Sequence, residues 1–262
     1  PSACEDFNTL NFGGRRGDGT TPYRLGDQDL SLFFGQSSFS QYVVTRASNA
    51  VVVDPEVDLT LLGPLGCGIQ TGSGTVLNRL KPVVGESLVV FGCGAVGLSA
   101  IMAAKLTGCS QIIAVDIHAS RLALAGELGA THQINGKEQD AVAVIKQITG
   151  KGAHYAVETT GVSAIVLQAV HAVKPLGTVA IVGFTGDITL NVQNDLMAEG
   201  KSLVGVIEGD AVPALFIPLL VQLYKQGKFP IDKLIARYPL ADINQAFADS
   251  ASGKVIKPVV VM

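Results

Sequence analysis

The 262-residue chain has no tryptophan, only four cysteines and four histidines, and no block of either charge. Each scarcity excludes something. Cys4, Cys67, Cys93 and Cys109 show no paired spacing, so neither a disulfide framework nor a Cys-x-x-Cys metal knuckle is written into the sequence. Unpaired thiols suit a reducing compartment, by default the cytoplasm. His118, His132, His154 and His171 stand in no His-Glu pair and at no metal-ligand spacing, and read as ordinary surface or helix histidines. With 22 acidic and 19 basic residues and a net charge of −3, there is no electrostatic footprint for nucleic acid or an anionic membrane, and a small-molecule partner is expected. One uncharged apolar run, residues 88–104, is at the lower edge of bilayer-spanning length. Glycines and a serine interrupt it, and a helix buried in a doubly wound sheet is apolar all round, which excludes a membrane span.

What is present is a core-forming composition, 48% hydrophobic with 30 glycines, enough for one large or two smaller domains. The chain is organised around residues 87–116. An apolar β-rich run, residues 88–91, enters Gly92-x-Gly94-x-x-Gly97, and a long Ala/Leu/Met stretch leaves it. That strand, turn and helix order is what a dinucleotide fingerprint requires. Gly92 makes the tight turn, Gly94 lets the backbone approach a pyrophosphate at the helix N-terminus, and Gly97 lets helix and strand pack closely. A second apolar run, residues 111–115, ends in Asp116, close to the spacing at which an acid takes the ribose hydroxyls of NAD and repels the extra phosphate of NADP.

Residues 1–35 are punctuated as surface loop, with Arg16-Gly17-Asp18 read as a solvated turn. Strand-like runs are expected at residues 39–45 and 50–53. Residues 61–74 pack glycines around Cys67 and Thr71 ahead of a helix at residues 75–80. From spacing alone, Cys67 is a small hydrophobe. Past Asp116 the alternation continues: helix 120–128, strand 130–134, helix 140–149, strand 155–158, a helix carrying Ile165 to Val173, strand 178–182 and a last apolar run from Leu203. Five or six strands alternating with helices predict an α/β fold with a parallel, doubly wound (Rossmann) sheet. Beyond it, helices at residues 219–226 and 243–250 and a strand at 256–261 form a tail that returns to the first region.

The chain resembles the zinc-type medium-chain alcohol dehydrogenases, and among them the aryl-alcohol (benzyl alcohol) dehydrogenases. The likeness is carried by Asn11-Phe12-Gly13-Gly14-Arg15-Arg16, by residues 62–72 around Cys67, by the fingerprint, and by residues 252–258. It implies NAD and Zn²⁺ as cofactors, a small-molecule alcohol or aldehyde as substrate, and the remainder of a β-rich GroES-like catalytic domain beside the Rossmann unit. By this resemblance Cys67 is a catalytic zinc ligand and Cys4 the last ligand of a structural zinc. Zn²⁺ with an open position binds the substrate oxygen as a Lewis acid. Thr71 and Val96 press on the nicotinamide, and backbone groups of Val182, Val206 and Glu208 hold its carboxamide. Arg121 stands beside the adenosine ribose and Lys257 on the pyrophosphate; as residues alone, either is equally an ordinary surface charge. Phe33, Phe34, Phe184 and Ile207 line the substrate pocket and favour a flat aromatic alcohol, although Phe33 and Phe34 also read as plain core.

The family's remaining ligands, a Cys, a His-Glu pair and three further clustered Cys, are not found in the sequence. The expectation is therefore the C-terminal part of a longer enzyme, inactive by itself, with residues 1–68 and 208–262 belonging to a catalytic domain and residues 69–207 to the cofactor domain. The resemblance also implies a homodimer or homotetramer through residues 188–192 and 203–206. Two other readings stay open: a stand-alone NAD-binding module, and a zinc-free quinone reductase-like relative.

Overall fold

The computed structural model describes residues 3–34 and 39–262; residues 1, 2 and 35 of the expected N-terminal loop lie outside the described residues. The first elements are small: helix α1 (Phe7–Phe12), then strands β1 (Arg24–Leu25) and β2 (Gln28–Asp29), paired antiparallel. Arg16-Gly17-Asp18 is an exposed turn closed by Gly19 N–H on the Arg16 carbonyl. The strands expected at residues 39–45 and 50–53 are not formed. Val and aromatic residues favour a pleated, half-buried surface, and these runs have no neighbouring strand to make one.

Helix α2 (Gly68–Gly74) begins seven residues before the expected start and widens into a further turn, Thr75–Leu80. Three glycines make a poor helix by propensity. Tertiary packing reverses this: a Cβ on Gly72 would lie 1.9 Å from the Val96 carbonyl oxygen, and one on Gly74 2.4 Å from that of Gly209. The glycines are what let α2 approach its neighbours.

The central unit then follows as β3 (Ser87–Phe91), α3 (Ala95–Leu106), β4 (Gln111–Asp116), α4 (Ala119–Leu128), β5 (His132–Asn135), α5 (Ala141–Thr149), β6 (Ala153–Glu158), α6 (Ser163–Ala172), β7 (Val173–Ile181) and β8 (Ser202–Gly205). These six strands form one parallel sheet in the order β5-β4-β3-β6-β7-β8. The fold class is the expected one. Alternate residues of β3 enter different cores: Leu88 and Val90 pack with α2, α3 and α4, and Val89 and Phe91 with α5 and α6. Both faces are covered, so the strand reads as a continuous apolar run. Residues Gly97 through Ala104 of α3 are all buried, which explains its uncharged sequence. Asp140, expected inside α5, is instead its N-cap and accepts from Ala143 N–H at 3.1 Å.

The tail consists of α7 (Pro213–Lys225), β9 (Ile235–Pro239), α8 (Ile243–Ala251) and β10 (Lys257–Val261), with β9 and β10 paired in parallel. Helix α7 starts earlier than expected because neither proline stops it. Pro213 occupies the first turn, where an N–H is not needed. Pro218 lies inside and costs about 3 kcal/mol. Burial of Phe216, Ile217, Leu220 and Val221, at roughly 1.5–3 kcal/mol each, outweighs it. The tail does return to the early segment, through Arg237 on Asp58 at 2.7 Å, Lys225 on Asp54 at 2.5 Å and the Phe39–Phe247 ring pair. Among the described residues no helix is long and apolar enough to cross a membrane.

Candidate functional site: a glycine-lined crevice at the strand C-termini

Chain order reverses between β3 and β6, and in open α/β sheets this switch point, at the strand C-termini, is where ligands bind. The first turn there is built from the fingerprint. Gly92 takes φ +91, which a side chain would strain, and its missing Cβ would meet Thr159 Oγ1 at 2.6 Å. Gly97 leaves room for the Gly92 carbonyl oxygen, 1.8 Å from where a Cβ would stand. Gly94 has nothing within 4 Å of its Cβ position and forms the N-cap of α3. Open space at the positive end of a 12-residue helix is the cradle that a pyrophosphate requires.

Asp116 ends β4 at 7% exposure. Its Oδ2 accepts from Cys93 N–H at 2.6 Å and its Oδ1 from His118 N–H at 2.8 Å. The acid therefore ties the glycine turn to its own strand. Burial, and then the Asp116 carboxylate, push the Cys93 thiol far up, so this cysteine stays a neutral thiol. Nearby, Arg121 has a buried Nε with no hydrogen-bond partner, and its guanidinium lies against Gly253. That Nε–H is a buried donor left without an acceptor.

The other half of the crevice is formed by the ends of β6, β7 and β8. Val182 N–H donates to the Glu158 carbonyl at 2.9 Å and Val206 N–H to that of Ile181 at 3.0 Å. Their N–H groups are engaged, so what they can offer a carboxamide NH2 is their carbonyl oxygens. Glu208, Gly209 and Asp210 take successive left-handed conformations at φ 51, 65 and 49. The segment is held by Asn78 on the Gly209 carbonyl at 2.9 Å and by Arg79 on Asp210 at 2.6 Å. The Glu208 carboxylate accepts from Gln70 Nε2 at 2.9 Å and lies 3.5 Å from Thr71 Oγ1. Val96, in the first turn of α3, faces the same helix through its carbonyl against Gly72. Thus Thr71, Val96 and Glu208 are brought together by α2.

Cys67 precedes α2 with solvent access, while crowding of its thiol and the Glu208 carboxylate raise its pKa and Lys257 opposes them. Lys257 opens β10, in register with Ile235 of β9. Cys4 is exposed in the first turns of the chain. Among the described residues no three His, Cys, Asp or Glu side chains converge, so the donors of this chain do not fit a zinc ion. Phe33 and Phe34 join Phe7 and Phe12 in one edge-packed cluster, with centroids 4.7–6.5 Å apart. Phe184, 96% exposed, belongs to none of the described aromatic pairs, and Ile207 is half exposed. The sequence reasoning missed Gln70, the Glu208 side chain and Glu158, the last fully buried. Glu158 closes an apolar strand as Asp116 does, but it lacks the glycine spacing that marks Asp116.

A parallel sheet in this order, with an open glycine turn and a strand-end acid, defines a dinucleotide-binding α/β protein. The zinc-binding dehydrogenase family profile matches residues 95–225. Geraniol dehydrogenase of Castellaniella defragrans is 43% identical, over 100% of this chain and 71% of its own. Among solved structures, an alcohol dehydrogenase zinc-binding domain protein from Burkholderia ambifaria superposes at TM-score 0.94 with 50% identity, covering 100% of this chain and 72% of that one. Benzyl alcohol dehydrogenase from Acinetobacter calcoaceticus superposes at 0.92 with 48% identity, over 99% and 71%. The chain belongs to the zinc-binding dehydrogenase family, and its relatives are alcohol dehydrogenases.

Proposed function

We propose that this chain carries the cofactor-binding part of an NAD-dependent alcohol dehydrogenase that oxidises a primary, aromatic alcohol to its aldehyde. The observation that supports it most is Asp116 beside the open Gly94 turn: a buried carboxylate at the ribose position accepts hydroxyl hydrogen bonds and repels a 2′-phosphate. NAD, when bound, supplies the acceptor for the hydride leaving the alcohol carbon. The chain's residues do the holding. Gly92, Gly94 and Gly97 admit the pyrophosphate to the N-terminus of α3, with Lys257 as its counter-charge. Asp116 and Arg121 orient the adenosine ribose, and Thr71, Val96 and the backbone of Val182, Val206 and Glu208 orient the nicotinamide. Residues 69–207 make the cofactor unit, and residues 1–68 and 208–262 the substrate side, where Phe33, Phe34, Phe184 and Ile207 favour a flat ring. The edge strand β8 and residues 188–192 pair subunits into a dimer or tetramer, and the four free thiols are kept reduced in the cytoplasm.

Isothermal titration of NADH against NADPH tests this reading, with NADH expected to bind at least tenfold tighter; equal affinities remove Asp116 from the site. A second reading is favoured by the donor set. Cys67 and Cys4 do not by themselves hold zinc, so this chain alone binds NAD without turning over alcohol. Benzyl alcohol oxidation by this chain without added protein would overturn that.

A further inference from the structure

Glu158 ends β6 in the middle of the sheet, between Phe91 of β3 and Ile181 of β7, with no solvent exposure at all. A carboxylate in such a place is retained only where donors surround it. They do. Oε1 accepts from Thr160 N–H at 2.6 Å and from the Thr160 hydroxyl, and Oε2 accepts from Gly161 N–H at 3.2 Å. The backbone carbonyl of the same residue accepts from Val182 N–H at 2.9 Å and Gly183 N–H at 3.1 Å. One residue therefore fixes two consecutive strand ends.

The turn it fixes is wedged between the two others that floor the crevice. On one side Thr159 Oγ1 donates to the Phe91 and Gly92 carbonyls, at 2.9 and 3.0 Å. On the other, Gly161 at φ +70 is so close to the next turn that a Cβ on it would stand 2.4 Å from the Phe184 carbonyl oxygen, and one on Gly183 would stand 2.3 Å from Gly161 N. Any shift of residues 159–161 moves Val182 and its neighbours. Asp116 marks the adenosine side of the switch point, so the second mononucleotide lies over β6, β7 and β8.

We propose that Glu158 is a positioning residue for the nicotinamide half of the cofactor, acting through the turn at residues 159–161 on the backbone of Val182, Gly183 and Phe184. The inference rests on the NAD reading above. Only a carboxylate meets the requirement: glutamine brings one acceptor oxygen and an NH2 that would face an N–H donor.

Isothermal titration of this chain with NADH and, separately, with ADP-ribose, which lacks the nicotinamide, tests it. Glu158→Gln should weaken NADH about tenfold or more and leave ADP-ribose within about twofold of the parent. Equal losses for both ligands, or no loss for either, overturn the proposal while the NAD reading stands. A parent chain that binds neither ligand overturns the NAD reading and the proposal with it. If Glu158→Gln melts before it can be titrated, Thr160→Val removes a single hydroxyl donor. It should produce a smaller loss for NADH alone, and an unchanged NADH affinity in that variant counts against the role.

Discussion

Before Val57, Leu32 is the one described residue that is buried, whereas all five residues of β3 are. The two regions draw on similar side chains: residues 39–45 hold Phe, Tyr and two Val, and β3 holds Leu, two Val and Phe. The difference lies in what surrounds them. β3 pairs on both edges and is covered on both faces by helices from its own stretch of chain. The early segment keeps a four-ring cluster to itself and leans on the rest through the Phe39–Phe247 pair and exposed ion pairs, which contribute little in high dielectric. Strand-forming composition is thus permission, and pairing partners are the cause.

Glycine substitutions break this comparison most directly. Gly97→Ala puts a methyl on the Gly92 carbonyl oxygen and should cost more than about 3 kcal/mol in urea unfolding, whereas Gly17→Ala, with open space around it, should stay within about 0.5 kcal/mol. Comparable losses for the two would mean that the regions are equally packed. Next in size, Asp116→Ser should lower NADH affinity by about tenfold or more and relax discrimination against NADPH, measured by calorimetry. Smaller still is an effect of pH. His154 Nδ1 accepts from Ser87 N–H at 3.1 Å, and burial, followed by Lys174, lowers its pKa below the ordinary 6.5 against the pull of Glu86. The folded form therefore takes a proton less readily than the unfolded chain. Stability is lost as pH falls through 6.5 toward the lower folded value. The urea midpoint should rise from pH 5 to pH 7.5, and His154→Gln should flatten that rise. Smallest is Phe33→Ala, at 64% exposure, which should shift the unfolding free energy by less than about 1 kcal/mol. A larger shift would show the aromatic cluster to be a core of its own.

The central unit was legible because its signals are local: Gly92, Gly94 and Gly97 act within a single turn, and Gly150 stops α5, although Asp140 caps that helix rather than opening it. The start of α2 was not legible. Its glycines look like loop until Gly209, far along the chain, is known to pack against Gly74. Pro218 misled for the same reason, since the burial that overrides it is supplied by partners distant in sequence. In the site, Asp116 was found by its spacing to the glycines. Glu158 has no such motif, and its importance is visible only in the hydrogen bonds that converge on it.

Cys93 gives the molecule an internal clock. Its thiol is sealed inside the glycine turn, while Cys4 and Cys67 stand open to reagent. Alkylation of Cys93 must therefore wait for the turn to open, and its rate counts those openings. A ligand seated in the cradle would slow that count without touching sulfur, so the time course of labelling at one atom reports occupancy of the crevice directly.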